Sequence, residues 1–228
     1  MELHNGDAFP ESEGPPAMQR LHETRLLSAA SIIELNGFRE ERKALISNVQ
    51  IPKTMKGSLI VTATLSANKR TYDAKKFESY LDDEKLTIVS KYRRDHGEQG
   101  NAVQEIYSKY AKALIISGDP SDFTTRPVGL KFEIVPSVDP GMLKAGASMP
   151  IQVLFEGKPA AGVTIETTWS TGQSAKASVV GQTGRDGRLS VPLQHGKCRI
   201  TTGWSQRFPD QTVANWETFF ATLTFEME

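Results

Sequence analysis

Four histidines are the side chains in this sequence whose chemistry first suggests a metal site. No two of them are four residues apart, and the sequence contains no His-Glu-x-x-His motif, so a site would have to assemble from distant segments. Imidazole nitrogen and carboxylate oxygen together suit nickel, which makes Ni²⁺ the ion to consider. The alternative is four unrelated surface histidines. The candidate ligands are His4, His22, His96 and His195.

The first residues offer a second arrangement for a metal. Removal of Met1 would place His4 third from a free amine. An amine, two amide nitrogens and an imidazole in that order can chelate square-planar Ni²⁺ or Cu²⁺.

Groups suited to catalysis are sparse. Cys198 falls in a predicted strand, where a lone cysteine usually packs as a small hydrophobe, and His195 would lie on the opposite face of that strand. The acidic run 82–84 consists of consecutive helical residues, which point in different directions. The glycines of 181–187 lack the following helix and the Lys-Ser/Thr ending of a phosphate loop, so they indicate a hairpin turn. We therefore predict that the protein is not an enzyme.

Tryptophan side chains could instead form a surface that stacks on a sugar or a peptide. Trp204 lies in a loop-like segment, residues 203–208, and is the candidate for an exposed ligand surface. Core packing is the expectation for Trp169 and Trp216.

The charge balance narrows the class of partner. The 228 residues include 27 Lys or Arg and 27 Asp or Glu, so the formal net charge is zero. A general nucleic-acid binder or a polybasic membrane-surface protein would carry a basic excess. No apolar run is long enough for a transmembrane helix, and residues 1–10 do not form a signal peptide. We expect no nucleic-acid partner and no membrane span in this chain.

The first half of the chain is predicted to be β-rich with one or two short helices. Asp73 can cap a helix that runs to Glu84, and Asn101 begins either a second helix or an irregular segment through Lys109. An Asn36-Gly37 pair predicts a hairpin turn. The predicted strands are residues 28–35, 44–49, 57–65 and 110–117.

The second half shows the clearest pattern, because seven short strands follow one another at turn intervals of 8–12 residues. Residues 177–182 and 188–193 are expected to form a hairpin around Asp186-Gly187. Period-two alternation predicts inward side chains at Leu130, Phe132, Ile134, Ile151, Val153, Phe155, Val163, Ile165, Thr167, Leu189, Val191, Leu193, Phe219, Ala221, Leu223 and Phe225.

These patterns predict a mainly β protein with two β-sandwich-like domains. Residues 1–125 form a β-rich domain with a helical insert, and residues 126–228 form an immunoglobulin-like or transthyretin-like β-sandwich. Met1–His4 resembles the middle of a strand, so we expect the first domain to be short of its leading strand.

Five stretches in order along the chain carry a family resemblance. They are residues 74–84, 105–112, 127–136, 153–162 and 216–225. Together they resemble a bacterial family of exported proteins with a domain of unknown function, some members of which are described as nickel- or cobalt-uptake transporter components. Members often begin with a signal peptide and an early histidine-aromatic stretch, which this sequence does not show.

The resemblance implies a non-enzymatic exported binding protein, periplasmic or secreted, whose signal peptide has been removed or truncated. It implies nickel or cobalt as the ion and a membrane transporter component or an envelope ligand as the partner. The alternative is an envelope interaction or carbohydrate-binding module.

Overall fold

The computed structural model describes residues 1–172 and 175–228, and in this part the chain is mainly β. Neither of its two α-helices, nor any other helix in the described part, is long and apolar enough to span a membrane. The elements up to residue 125 are β1 (Glu2–Leu3), β2 (Leu21–Leu27), β3 (Ile32–Glu34), β4 (Arg39–Glu41), β5 (Ala44–Ile46), β6 (Gly57–Tyr72), α1 (Ala74–Asp83), α2 (Thr87–Asp95) and β7 (Val103–Ser117). Those after it are β8 (Phe132–Pro136), β9 (Ser148–Phe155), β10 (Lys158–Pro159), β11 (Thr164–Ser170), β12 (Ala175–Gln182), β13 (Arg188–Pro192), β14 (Gly196–Arg207) and β15 (Trp216–Met227).

One long sheet organises the molecule. Its eight strands lie in the order β12-β11-β14-β15-β7-β6-β2-β3. Every neighbouring pair is antiparallel except β15 and β7, which run parallel from Trp216 beside Glu105 to Thr224 beside Ala113. The domain boundary at residues 125 and 126 stays a prediction, and the sheet is continuous across it.

A smaller sheet packs against one face of the long sheet and completes the β-sandwich. It contains β8, β9, β10 and β13, with β9 in the centre. We call the long-sheet face toward it the sandwich face. Every inward residue predicted from period-two alternation is buried or half-buried, and most belong to the core between these sheets. The mainly β fold class with a sandwich is therefore confirmed. Burial of each large apolar side chain in this core stabilises the folded protein by roughly 1.5–3 kcal/mol.

The opposite face of the long sheet carries the two helices, and we call it the helix face. Asp73 caps α1, since its Oδ1 accepts a hydrogen bond from the Lys76 backbone N–H at 2.8 Å. Phe77 and Leu81 of α1 are buried, as the predicted face required. They pack with α2 against Val103 and Trp216 of the sheet.

Several predicted elements of the first half differ from the structure. The predicted strand 28–35 is wrong in its bounds, because β2 ends at Leu27 and a turn closed by Ser28 and Ser31 precedes β3. The helix or irregular segment expected at 101–109 is wrong, because β7 begins at Val103 and includes residues 103–109. The sequence pattern does not indicate α2, because the buried face of this helix contains an arginine, Arg93, beside Val89.

Two expectations in the second half also need correction. Residues 177–182 and 188–193 are not a hairpin, because β12 pairs with β11 in the long sheet while β13 pairs with β9 in the small one. The turn at Gly187 (φ 71°) therefore crosses between sheets. The loop expected at 203–208 is also wrong, because β14 continues to Arg207 and pairs with β15 along its whole length.

A buried ion pair joins the two sheets. Lys112 of β7 contacts Glu133 of β8 through Nζ and Oε1, and both side chains are almost fully buried. Lys112 also donates to the Ile134 carbonyl at 3.1 Å, and Glu133 accepts from the Val128 and Gly129 backbone N–H groups. Both charges are therefore hydrogen-bonded on several sides, which a desolvated pair requires.

Candidate functional site

The structure separates the four candidate histidines. His4 Nε2 lies 3.0 Å from a carboxylate oxygen of Glu2. His96 stacks on Tyr92, with ring centroids 3.9 Å apart, and its Nδ1 lies 2.8 Å from the Tyr92 carbonyl oxygen. His22 and His195 are exposed. Among the described residues, no three His, Cys, Asp or Glu side chains come close enough together to hold a metal ion.

One histidine lines a groove. The groove has a volume of about 460 Å³ and lies between β2 and the segment after β3. His22 lines it together with Met18, Glu23 and Glu34. Imidazole, thioether and carboxylate groups are all metal ligands, so in this groove a predicted histidine shares a concave surface with several such groups.

The other predicted site residues lie in packed positions. Cys198 is fully buried in the sandwich core, and burial raises the pKa of its thiol. Trp204 is half-buried and stacks on Phe155 with centroids 5.5 Å apart. It stands in a strand rather than a loop, and its role as a ligand surface stays a prediction.

A different set of residues converges on the helix face, where β6 and β7 pair. Asn68 lies opposite Tyr107 and Arg70 lies opposite Glu105, after a register shift between Leu65 and Asn68. Neighbouring side chains from the turn before β2, from β6 and from α1 complete a group that we call the arginine–tyrosine site. Its members are Arg20, Asn68, Arg70, Tyr72, Tyr80, Glu105 and Tyr107.

Tyr107 is the centre of this site. The guanidinium carbons of Arg20 and Arg70 lie 4.5 and 4.3 Å from its ring centroid. Its hydroxyl accepts hydrogen bonds from Arg20 at 2.8 Å and from Asn68 at 3.3 Å. Burial of the ring opposes ionisation, but the Asn68 hydrogen bond and the nearby cations outweigh it and lower the pKa of Tyr107. The ring thus positions two positive charges, each held by a cation–π contact.

The two arginines differ in how many of their guanidinium N–H groups remain free to bind a ligand. Arg20 donates to the Ser66 carbonyl through two nitrogens, at 2.9 and 2.6 Å, and also to the Tyr107 carbonyl. Arg70 is exposed, and its one hydrogen bond within the described part is a long one of 3.5 Å to the Tyr72 hydroxyl. No carboxylate of the described residues lies within ion-pair distance of Arg70. Its planar fork of N–H donors is therefore oriented by stacking and open to a ligand.

Below the arginines lies a buried carboxylate. Glu105 is fully buried and accepts hydrogen bonds from Tyr80 at 2.9 Å, from Thr218 at 2.5 Å and from Tyr72 at 3.4 Å. Desolvation raises the pKa of Glu105, and these hydroxyl donors offset the rise only in part. Tyr72 links Glu105 to Arg70, so the free guanidinium is connected to a buried acid through one phenol.

The rim of the site carries further charges. Lys109 donates to the Asn5 side chain at 3.0 Å, and desolvation lowers the pKa of Lys109. Glu84, which follows the last residue of α1, has a pKa raised to about 7 by desolvation first and by the Asp7 carboxylate second. Because the Glu84 side chain itself is exposed, water screens part of that effect.

This site was not predicted from the sequence. Its residues are of ordinary types and belong to no motif, and only the strand register after the shift in β6 brings Arg70 beside Tyr107. The resemblance included part of it, since residues 105–112 contain Glu105 and Tyr107. Clustered groups with displaced pKa values are more frequent at functional sites than elsewhere.

The fold and the site define a class: a mainly β protein whose long sheet carries a sandwich on one face and a helix-covered polar site on the other. Residues 6–198 match the family model described as a domain of unknown function, DUF4198. The match covers most of the chain, and the chain belongs to this family. No curated protein and no solved structure matches it. The resemblance to a family of unknown function is thus confirmed, while its nickel or cobalt association stays a prediction.

Proposed function

We propose that this protein is a non-enzymatic binding protein that acts outside the cytoplasm and binds an anionic ligand at the arginine–tyrosine site. The observation that carries the proposal is the Arg70 guanidinium, which is exposed, stacked on Tyr107 and without a carboxylate partner in the described part. A guanidinium fork matches a carboxylate in a bidentate geometry. The same fork also matches phosphate, and the ligand that we propose to test is a small molecule that carries carboxylate groups.

Two further features support an anion at this position. Lys109 adds a further basic side chain at the rim, and Arg20 adds a fixed positive charge over the Tyr107 ring. Arg20 is already hydrogen-bonded to the protein, so it attracts an anion through its electrostatic field more than through a direct contact. Stacking holds Arg70 in place before binding, which lowers the entropy lost when the ligand arrives.

The test is calorimetric titration with succinate and citrate at low ionic strength, compared with their uncharged amides. Arg70→Gln should weaken carboxylate binding roughly 10- to 100-fold, because a hydrogen bond between charged groups contributes about 1.5–3 kcal/mol. The matched control is Lys69→Gln, which removes an exposed positive charge from the next residue of β6, on the other face of the strand. Equal effects of the two variants, or no carboxylate binding by the unaltered protein, would contradict the proposal.

The location outside the cytoplasm rests on the resemblance to exported proteins. Fractionation of cells that express the natural gene from its own start codon tests it. The protein should appear in the periplasm or the medium, and retention in the cytoplasm would remove this part of the proposal.

A second candidate function is association with nickel or cobalt uptake, with a membrane transporter component or an envelope ligand as partner. The resemblance supports it, and the groove that contains His22 gives it a place to be tested. Titration with Ni²⁺ and Co²⁺ should show binding that His22→Ala weakens and that His195→Ala, an exposed histidine elsewhere, leaves unchanged.

The carbohydrate-binding alternative is tested by loss of a glycan-array signal in Trp204→Ala.

A further inference from the structure

The outer strand of the long sheet, β12, has a free edge. Among the described residues it pairs with β11 alone, so the backbone groups on its other side have no strand partner. Residues 175–179 are all exposed, and they form a regular ladder with β11 up to the register shift beside Ile165 and Glu166. An unpaired strand edge of this kind is a template for pairing with another strand.

The other sheet edges are shortened or covered. At the opposite end of the long sheet, β3 has three residues. In the small sheet, β8 is buried throughout and ends in Pro136, and β13 ends in Pro192. Short strands, coverage and proline protect these edges, and residues 175–179 have none of the three, while Lys176 is the one charged residue among them.

We propose that β12 is an interface at which two copies of this chain join their long sheets, antiparallel and around a two-fold axis at Ala177. In this register Ala177 faces its own copy, Ala175 faces Val179, and Lys176 faces Ser178. The whole ladder then lies within the regular part of the strand.

The side chains of β12 are self-complementary in this register. Ala175, Ala177 and Val179 share one face of the strand, so the two copies form a continuous row of small apolar side chains, and Val179 is 52% exposed in the single chain. On the other face each Lys176 meets a serine hydroxyl rather than the second lysine. Lys176 is the one charge on this strand, which is too little to select an acidic partner. Two copies of this chain do not repel each other, because its net charge is zero.

The experiment measures mass in solution by light scattering, from low to high micromolar concentration, for the full chain. The unaltered protein should form a dimer. Ala177→Lys would place two lysines directly opposite each other and weaken dimerisation about fivefold or more, as would Ala177→Glu with two glutamates. An equimolar mixture of the two variants should dimerise again, because lysine then faces glutamate.

The mixture separates loss of the interface from loss of folding, since misfolded variants would not complement each other. Ala67→Lys, an exposed alanine of β6, is the matched control and should dimerise like the unaltered protein. A protein that stays monomeric throughout, a dimer that Ala177→Lys leaves unchanged, or variants that do not complement each other would each overturn the proposal. A monomer that instead binds an extended peptide along β12 would also overturn it.

Discussion

The Glu105 carboxyl group lies where water cannot reach it. Three hydroxyl groups surround its carboxylate, and among the described residues no cation lies within ion-pair distance. An ionised carboxylate in such a place is expensive, and each hydroxyl recovers only part of the lost hydration. The residue is therefore better explained by a role in the arginine–tyrosine site, through Tyr72 and Arg70, than by stability.

Glu105 should make folding stability depend on pH. Its pKa is raised above the ordinary value of 4.5, so the folded chain holds the proton more tightly than the unfolded chain does. This residue's contribution is therefore full below pH 4.5, and it declines as the pH rises from there through the raised pKa. Glu105→Gln, which keeps an oxygen acceptor, should remove that decline.

Urea denaturation at a series of pH values from 4 to 8 gives the free energy of unfolding at each pH. The slope of this free energy against pH is then compared between the unaltered protein and Glu105→Gln. Glu41→Gln, an exposed carboxylate of β4, controls for general charge effects. Parallel curves for the unaltered protein and Glu105→Gln would show that Glu105 has the same pKa in both states.

At the scale of elements, the contact between β7 and β8 depends on charge in an apolar layer. Lys112 and Glu133 stand between the two sheets of the sandwich, and burial lowers the pKa of Lys112 while Glu133 opposes that shift. Pairing and backbone hydrogen bonds replace the water that both groups lose on burial. The pair thereby fixes how the strand before the predicted domain boundary meets the strand after it.

Removal of one partner should cost far more than removal of both. Glu133→Ala is expected to lower the free energy of unfolding by about 3–5 kcal/mol, because it leaves an uncompensated buried charge. Adding Lys112→Met should recover most of that loss, since an apolar side chain of similar length replaces the amine. In urea denaturation, Glu41→Ala, from the exposed pair with Arg39, should cost less than about 1 kcal/mol. A double variant as unstable as Glu133→Ala would contradict this account.

At the scale of the whole molecule, the central pairing of β7 with β15 should make the two halves unfold together. The parallel ladder extends from Trp216 to Thr224, and the apolar core between the sheets includes Ile60 and Leu114 from the first half. Leu59→Ala, a fully buried site on the other face of β6, should lower stability by about 2–5 kcal/mol.

Two probes follow that unfolding: tryptophan fluorescence, which reports on the second half, and far-ultraviolet circular dichroism, which reports on both. Both transitions should move to lower urea by the same amount in Leu59→Ala. A tryptophan transition that stays in place would mean that residues 126–228 form an independent unit.

The sequence was informative where local pattern decides structure. Period-two alternation identified the strands and inward residues of the sandwich, because a strand buried on one face must alternate. Asp73 identified the start of α1, because a helix cap also depends only on residues close in sequence. The pattern predicted the second part of β7, residues 110–117, but it failed for residues 103–109, where Glu105 occupies a buried position and hides the alternation, and at α2, where Arg93 does so.

The candidate site depends on information that no local pattern contains. Arg70 and Tyr107 meet because two strands pair in one register, and Thr218 reaches Glu105 because β15 lies beside β7. The site predictions made from residue type alone found histidines, which the structure keeps apart. A site made of residues that are ordinary singly and unusual only in combination can be recognised only once the fold is known.

The parallel pairing of β7 and β15 also has a consequence for how the protein is made. The adjoining contact between Gln104 and Asn215 spans 111 positions, so loop closure there is slow compared with hairpin formation. A nascent chain that has produced β6 and β7 holds an antiparallel strand pair in which the other edge of β7 has no partner yet. Until β15 emerges from the ribosome, that edge is open to aggregation. A chaperone that shields it would therefore be needed more by this protein than by one whose central strands are adjacent in sequence.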